Sequence, residues 1–150
     1  MNTDSFLTKK NDKRETNQNV LVELNSADSL QRLEVYGIGS VFASRIIRYR
    51  KLLGGYYSVS QLKEVYGMRE ENYQTIAKFF TVDPSKINTL NINFATIQEL
   101  GRHPYIGYKA AKRIYKLKDQ VGKFQSADNL KSVISADSLI RIVPYLKFGL

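Results

Sequence analysis

The sequence has 150 residues, enough for one ordinary domain or two small ones, and its lack of cysteine excludes disulfides and thiolate metal sites. Lysine and arginine (23 residues) outnumber aspartate and glutamate (14 residues), and the pI is near 9.7. Residues 86–150 contribute +7 of the net charge of +9. A chain this basic favours a polyanionic partner, nucleic acid ahead of an anionic membrane surface.

The first 19 residues are polar and show almost no apolar periodicity, which predicts a disordered tail over residues 1–19. No apolar run approaches the length that crosses a bilayer, and the first 20 residues lack the apolar core of a signal peptide. The chain as given is therefore expected to be soluble.

From residue 20 onward the chain repeats itself at a gap-free offset of 68 residues. Eleven aligned pairs are identical: Asn25/Asn93, Ala27/Ala95, Ile38/Ile106, Gly39/Gly107, Ala43/Ala111, Arg45/Arg113, Ile46/Ile114, Gly54/Gly122, Ser58/Ser126, Leu62/Leu130 and Val65/Val133. Beyond Val65 the second copy is two residues shorter, so that Ile76 aligns with Ile142. The repeat predicts two tandem units, residues 20–85 and 86–150, joined by a short connection.

Each unit also contains a weaker internal echo, because Glu34-Val-Tyr-Gly-Ile38 recurs as Glu64-Val-Tyr-Gly-Met68. Each unit is therefore predicted to hold two hairpins of short helices, four in the chain. Asn25 and Asn93 are the predicted N-caps of helices that end before Tyr36 and Pro104. The other predicted helices span about 40–53, 58–65, 70–80, 108–120, 126–133 and 135–146. No segment shows sustained strand alternation, so the predicted class is all-α.

The first hairpin is predicted to present free backbone N–H groups. Gly37 and Gly39 flank Ile38, where the missing Cβ atoms leave the amides unshielded. The N–H groups of Gly39, Ser40 and Val41 would then lie at a helix N-terminus, a geometry that holds a phosphate. The alternative interpretation is a tight turn whose glycines serve only to reverse the chain.

This pattern, with Leu33 before Tyr36-Gly-Ile-Gly39 and with Ala43 and Ile46 after it, resembles the helix-hairpin-helix motif. With 24–28 and 54–56 included, the chain is similar to the DNA-binding part of bacterial competence receptors of the ComEA type. The resemblance implies two doubled helix-hairpin-helix units, which are SAM-like bundles of short helices. It also implies sequence-independent DNA binding, a role in DNA uptake, and attachment outside the inner membrane; without it the expected location is cytoplasmic.

The other three hairpins depart from the motif. The second, 66–69, keeps Gly67 and carries Arg69, and it is either an anion site or a plain helix stop. The third, 104–107, has Tyr105 in place of the first glycine, while the fourth, 133–136, has no glycine and is predicted to be structural.

The predicted DNA contacts lie in both units. In the first unit they are the backbone at Gly37, Ile38, Gly39, Ser40 and Val41 and the helix face of Ser44, Arg48 and Lys51. In the second unit they are Gly107 and Tyr108 and a basic stripe that begins at the hairpin: Lys109, Lys112, Arg113 and Lys116. The stripe is alternatively an ordinary solvated face. Arg45 and Arg113, which share one repeat position, alternatively pair with internal carboxylates.

Ten tyrosines invite a base-stacking interpretation. Most have core-like spacing, namely Tyr36, Tyr49, Tyr56, Tyr66, Tyr73, Tyr115 and Tyr145. Tyr57 and Tyr108 are the two predicted to be exposed.

Catalysis is not expected. The single histidine, His103, lacks partner ligands and is interpreted as a turn residue, and the carboxylates are dispersed. The sequence therefore predicts no metal, no cofactor and no small-molecule substrate. The predicted function is sequence-independent binding of double-stranded DNA. The alternatives are a protein-interaction scaffold that keeps the fold without DNA binding, and RNA or anionic-membrane binding by the second unit alone.

Overall fold

The computed structural model of the chain describes residues 21–26 and 38–149. The described residues form two compact units. Unit 1 contains residues 21–26, 38–51 and 55–87, and unit 2 contains residues 52–54 and 88–149.

Short helices dominate both units, which confirms the all-α class. The α-helices are α1 (Ser40–Leu53) and α2 (Glu70–Ile76), then α3 (Ile97–Arg102), α4 (Gly107–Val121) and α5 (Ala136–Ile142). Turns of 3-10 helix span Val59–Glu64, Ala77–Phe79, Pro84–Lys86, Ala127–Leu130 and Val143–Tyr145.

A two-residue parallel bridge joins the beginning of each unit to its end. In unit 1, β1 (Val22–Glu23) pairs with β2 (Phe80–Thr81), and in unit 2, β3 (Leu90–Asn91) pairs with β4 (Leu146–Lys147). The register sets Val22 opposite Phe80 and Leu90 opposite Leu146. These bridges are too short to read from sequence alternation.

The two long helices bury equivalent side chains. Ala43 and Ile46 of α1 are fully buried, as are Ala111 and Ile114 of α4. The small alanines allow neighbouring helices to approach closely. The largest fully buried side chains in unit 1 include Leu24, Ile38, Ile46, Tyr56, Leu62 and Ile76, and those in unit 2 include Leu53, Ile92, Phe124 and Tyr145.

Asn93 has a different role from the predicted helix capping, and Asn25 makes the same long-range bonds in unit 1; the helix predicted after Asn25 lies largely outside the described residues. The Asn25 amide donates to the Tyr56 carbonyl (2.8 Å) and accepts the Tyr56 N–H (2.7 Å). Asn93 makes the same pair of bonds with Phe124, at 3.0 and 2.9 Å. Each asparagine therefore joins two backbone segments that are 31 residues apart in the sequence.

The N-cap of α3 is Thr96, three residues after the predicted position. The Thr96 hydroxyl accepts the N–H of Glu99 (3.1 Å), and the Glu99 carboxylate accepts the N–H of Thr96 (3.0 Å). This reciprocal capping box satisfies two helix N–H groups locally. The corresponding helix predicted before Tyr36 in the first copy lies largely outside the described residues.

Candidate nucleic-acid interface

The first hairpin is fixed by its central residue. Ile38 is 1% exposed and Gly39 is buried, whereas Ser40 is exposed and Val41 is 55% exposed. Gly37 lies outside the described residues. The N–H groups of Ser40 and Val41 have no acceptor among the residues that the structure describes, and the first turn of α1 carries no carboxylate. An anion can therefore approach the positive end of α1.

The predicted polar face of α1 reaches solvent. Ser44, Arg48 and Lys51 are all exposed. Neither Arg48 nor Lys51 forms an ion pair with a described carboxylate. Both charges remain available to a polyanion.

Arg45 and Arg113 bind backbone carbonyls. A terminal nitrogen of Arg45 donates to the Tyr66 carbonyl (3.2 Å), and Nε of Arg113 donates to the Val133 carbonyl (3.2 Å). In each unit this arginine therefore ties the helix after one hairpin to the next hairpin. Arg113 stays exposed, but one of its donors is engaged internally.

The third hairpin is open despite its missing glycine. The Tyr105 ring packs against His103 (5.3 Å between centroids) and Tyr145 (6.1 Å), so it turns into unit 2. Gly107 has a φ of +77°, and a Cβ built on it would meet no atom within 4 Å. Its own N–H donates to the His103 carbonyl (3.1 Å). The Gly107 amide is thus engaged, while its α-carbon face is unobstructed.

The next N–H groups of the third hairpin, those of Tyr108 and Lys109, have no acceptor in the described part of the chain. Tyr108 is 52% exposed, and its ring lies against Gly101, where any side chain would collide with it. The free donors of this hairpin therefore lie one and two residues beyond the glycine.

The predicted basic stripe on α4 is exposed. Lys109, Lys112 and Lys116 reach solvent and form no ion pair with any described carboxylate, while Ala111 and Ile114 face the core. The first turn of α4 has no acidic residue. Three unpaired positive charges thus follow directly from the open hairpin.

The second and fourth hairpins lead into helices that carry carboxylates in their first turns. Helix α2 begins with Glu70 and Glu71, and Arg69 already pairs with Glu71 (3.7 Å). Helix α5 has Asp137 in its first turn, and its N-cap Ser135 accepts a backbone N–H. Carboxylates at these N-termini satisfy the helix dipole and repel a phosphate. The second hairpin is thus better explained as a helix stop.

Comparison with known families agrees with this architecture. A family model described as the helix-hairpin-helix motif matches residues 17–81 and again residues 85–146. The chain belongs to the helix-hairpin-helix family. The two matches confirm two copies, and the motif is generally associated with nucleic-acid binding. No curated protein and no solved structure matches the chain significantly.

Tyrosine exposure in the helix-hairpin-helix units is predicted only in part. Tyr57 (50%) and Tyr108 (52%) are exposed as expected, and Tyr56 and Tyr145 are buried. Tyr66 is 80% exposed, so its predicted core position is wrong. It lies in the second hairpin, which is two residues longer in unit 1 than in unit 2.

His103 is a buried turn residue of the second helix-hairpin-helix unit. Its Nδ1 accepts the Tyr105 N–H (3.1 Å), which leaves the hydrogen on Nε2, 2.8 Å from the Leu53 carbonyl in the same unit. Burial lowers the pKa of His103 from 6.5 to about 4, against the opposing effect of the bond to Leu53. The histidine is therefore neutral and engaged at both nitrogens.

Nowhere in 21–26 or 38–149 do three or more histidine, cysteine or acidic side chains gather as metal ligands would. Within these same ranges, every helix falls short of the length and apolar character that crossing a bilayer requires.

Proposed function

We propose that this protein binds double-stranded DNA through its phosphate backbone, without sequence preference and without catalysis. The observation that carries the proposal is the row of unpaired lysines on α4, which begins at a hairpin with free N–H groups. Family membership supports nucleic acid as the partner, because the motif is generally associated with it.

The mechanism assigns one phosphate site to each unit. In unit 1 the N–H groups of Ser40 and Val41 would hold a phosphate, and Arg48 and Lys51 would add charge along α1. In unit 2 the N–H groups of Tyr108 and Lys109 would do the same at α4. A helix N-terminus supplies both the donors and the positive end of a dipole. Contacts of this kind do not reach base edges, so no sequence code is expected.

The strength of such binding follows from the number of phosphates neutralised. With about two to four phosphates, the slope of log affinity against log salt is roughly −2 to −4, and the dissociation constant lies at about 10⁻⁴–10⁻⁶ M at physiological salt. Binding this weak suits a protein for which every position along the DNA is an equivalent site.

A salt titration of DNA affinity tests the proposal. It uses the whole chain and two double variants on a random-sequence duplex. Lys109→Glu with Lys112→Glu reverses the charges nearest the open hairpin and is expected to weaken binding about 10-fold or more. Lys123→Glu with Lys147→Glu makes the same charge change elsewhere in unit 2 and is the matched control. A slope near zero, or equal effects of the two variants, would contradict the proposal.

An RNA duplex and anionic vesicles serve as further arms of the same experiment. Equal or tighter binding to either one than to duplex DNA would favour a general polyanion site instead.

A role in DNA uptake is the biological setting that we propose, supported by the resemblance to competence receptors. Imported DNA has no fixed sequence, so a protein that grips only phosphates accepts any of it.

A second candidate function is protein interaction. Ile140 is 75% exposed and Val143 is 41% exposed, whereas the aligned positions of unit 1 are Gln74 and Ala77. An apolar pair that is exposed only in the second copy favours a protein contact there. A partner captured equally well at low and high salt, and lost on Ile140→Glu, would support this function.

A further inference from the structure

Tyr66 is the most exposed large hydrophobic side chain among the described residues, at 80%. The second hairpin of unit 1, which carries Tyr66, is two residues longer than its counterpart in unit 2. Between the valine and the N-cap, unit 1 has three residues, whereas unit 2 has only Ile134, which is 5% exposed. The extra length places an aromatic ring at the hairpin tip.

Arg45 holds this ring in place. The guanidinium carbon lies 4.8 Å from the centre of the Tyr66 ring and 5.1 Å from that of Phe42, while one nitrogen donates to the Tyr66 carbonyl (3.2 Å). Gly67, at a φ of +82°, leaves room for this contact, because a Cβ there would lie 2.7 Å from the Arg45 nitrogen. The ring is thus supported on one face by a cation and remains mostly open to solvent.

The position of Arg45 links the ring to the proposed phosphate site. Arg45 lies three residues before Arg48 on α1, so the two side chains are neighbours on the helix surface. A nucleic acid held at the start of α1 and by Arg48 would therefore pass close to the ring. An aromatic ring beside bound phosphates offers a stacking surface for a base.

Paired bases in a continuous duplex are stacked on both sides and offer no open face to such a ring, whereas an unpaired base does. We propose that Tyr66, supported by Arg45, stacks an unpaired base, so that unit 1 prefers duplex DNA that adjoins single-stranded nucleotides. This inference rests on the proposed function and specifies the class of DNA that the first site takes.

The test compares a blunt duplex with the same duplex carrying a five-nucleotide single-stranded tail. The whole chain is expected to bind the tailed DNA about 10-fold more tightly, the range that one stacked base supplies. Tyr66→Ala should remove this preference and leave the affinity for blunt DNA within about 2-fold, because the ring is not a phosphate ligand. Tyr66→Phe keeps the ring and should keep the preference.

Tyr57→Ala is the matched control, since Tyr57 is also a half-exposed tyrosine of unit 1; it should leave the preference unchanged. Salt-dependent binding with no preference for the tail would overturn this inference and leave the proposed function standing. Absence of binding to either DNA would overturn both. If Tyr66→Ala weakened binding to both DNAs equally, the stacking role of Tyr66 would also be overturned.

Discussion

Asn93 shows how one side chain can close a unit of about 65 residues. Its amide bonds to both the N–H and the carbonyl of Phe124 and also donates to the Phe148 carbonyl (3.0 Å). It is 6% exposed, so the loss of these bonds would leave buried backbone groups unpaired. Asn25 repeats the arrangement with Tyr56 in unit 1.

This use of asparagine could not be predicted from local sequence. An asparagine before an apolar run indicates an N-cap, because its side chain commonly bonds to a nearby N–H. Here the acceptor and donor are 31 residues away, and only the folded chain brings them together. The recurrence of the asparagine in both copies indicated that it mattered, but not what it contacts.

His103 provides a pH-dependent prediction. Its pKa is about 4 when folded and 6.5 when unfolded, so the unfolded chain binds the extra proton between these values. The contribution of His103 to the free energy of unfolding is therefore fully present above pH 6.5. It falls by up to about 3 kcal/mol as the pH is lowered toward 4.

Urea unfolding at pH 7.5 and 4.5, with His103→Gln as the comparison, measures this effect. The variant should lose less stability on acidification than the native chain. An identical loss in both would show that other groups carry the acid sensitivity.

At the scale of the elements, the sequence predicts the long helices well and the hairpin tips poorly. The bounds of α1 agree with the prediction, and those of α4 differ from it by one residue at each end. The C-terminal ends are predictable because Gly54 and Gly122, which follow the two helices, have positive φ. The exposure of Tyr66 depends on a two-residue length difference and on the support of Arg45. Neither leaves a periodic signal in the sequence.

Two glycines with positive φ give a paired prediction. Gly67 and Gly122 have φ values of +82° and +81°, and L residues rarely adopt positive φ, so alanine at either costs about 1 kcal/mol or more. Gly67→Ala also drives a Cβ against the Arg45 nitrogen and should cost about 1 kcal/mol more through the lost bond to Tyr66. Gly122→Ala meets no neighbour.

Free energies of unfolding from urea titrations followed by circular dichroism compare the two variants. A loss of only about 1 kcal/mol for Gly67→Ala would mean that the contact of Arg45 with Tyr66 contributes no stability.

At the scale of the whole molecule, the charge that the sequence concentrates in the last third is not cancelled by folding. Among the described residues of unit 2, Lys131 and Arg141 pair with nearby aspartates, whereas the lysines of α4 that follow the third hairpin do not. The exposure of the candidate side chains can be predicted from sequence on the long helices, where helical spacing fixes which side chains share a face. The engaged N–H of Gly107 could not be foreseen.

Binding by both units predicts separable contributions to the salt dependence. Arg48→Gln with Lys51→Gln removes two charges from unit 1, and Lys109→Gln with Lys112→Gln removes two from unit 2. Each pair should flatten the log–log slope by up to about 2, and the combination should flatten it more than either pair alone. Fluorescence anisotropy on one duplex at four salt concentrations measures all four proteins. If one pair alone accounts for the whole change, a single unit binds DNA.

The two-residue bridge between β3 and β4 has a consequence for how such a protein can be assembled. Because Leu90 pairs with Leu146, the main segment of this unit, residues 88–149, begins and ends at neighbouring points, about 5 Å apart. A module whose ends meet can be copied in tandem, or spliced into a surface loop of an unrelated protein, without stretching either host or insert. Gene duplication of such a module needs only a few connecting residues, and after duplication each copy can lose or gain ligands independently of the other.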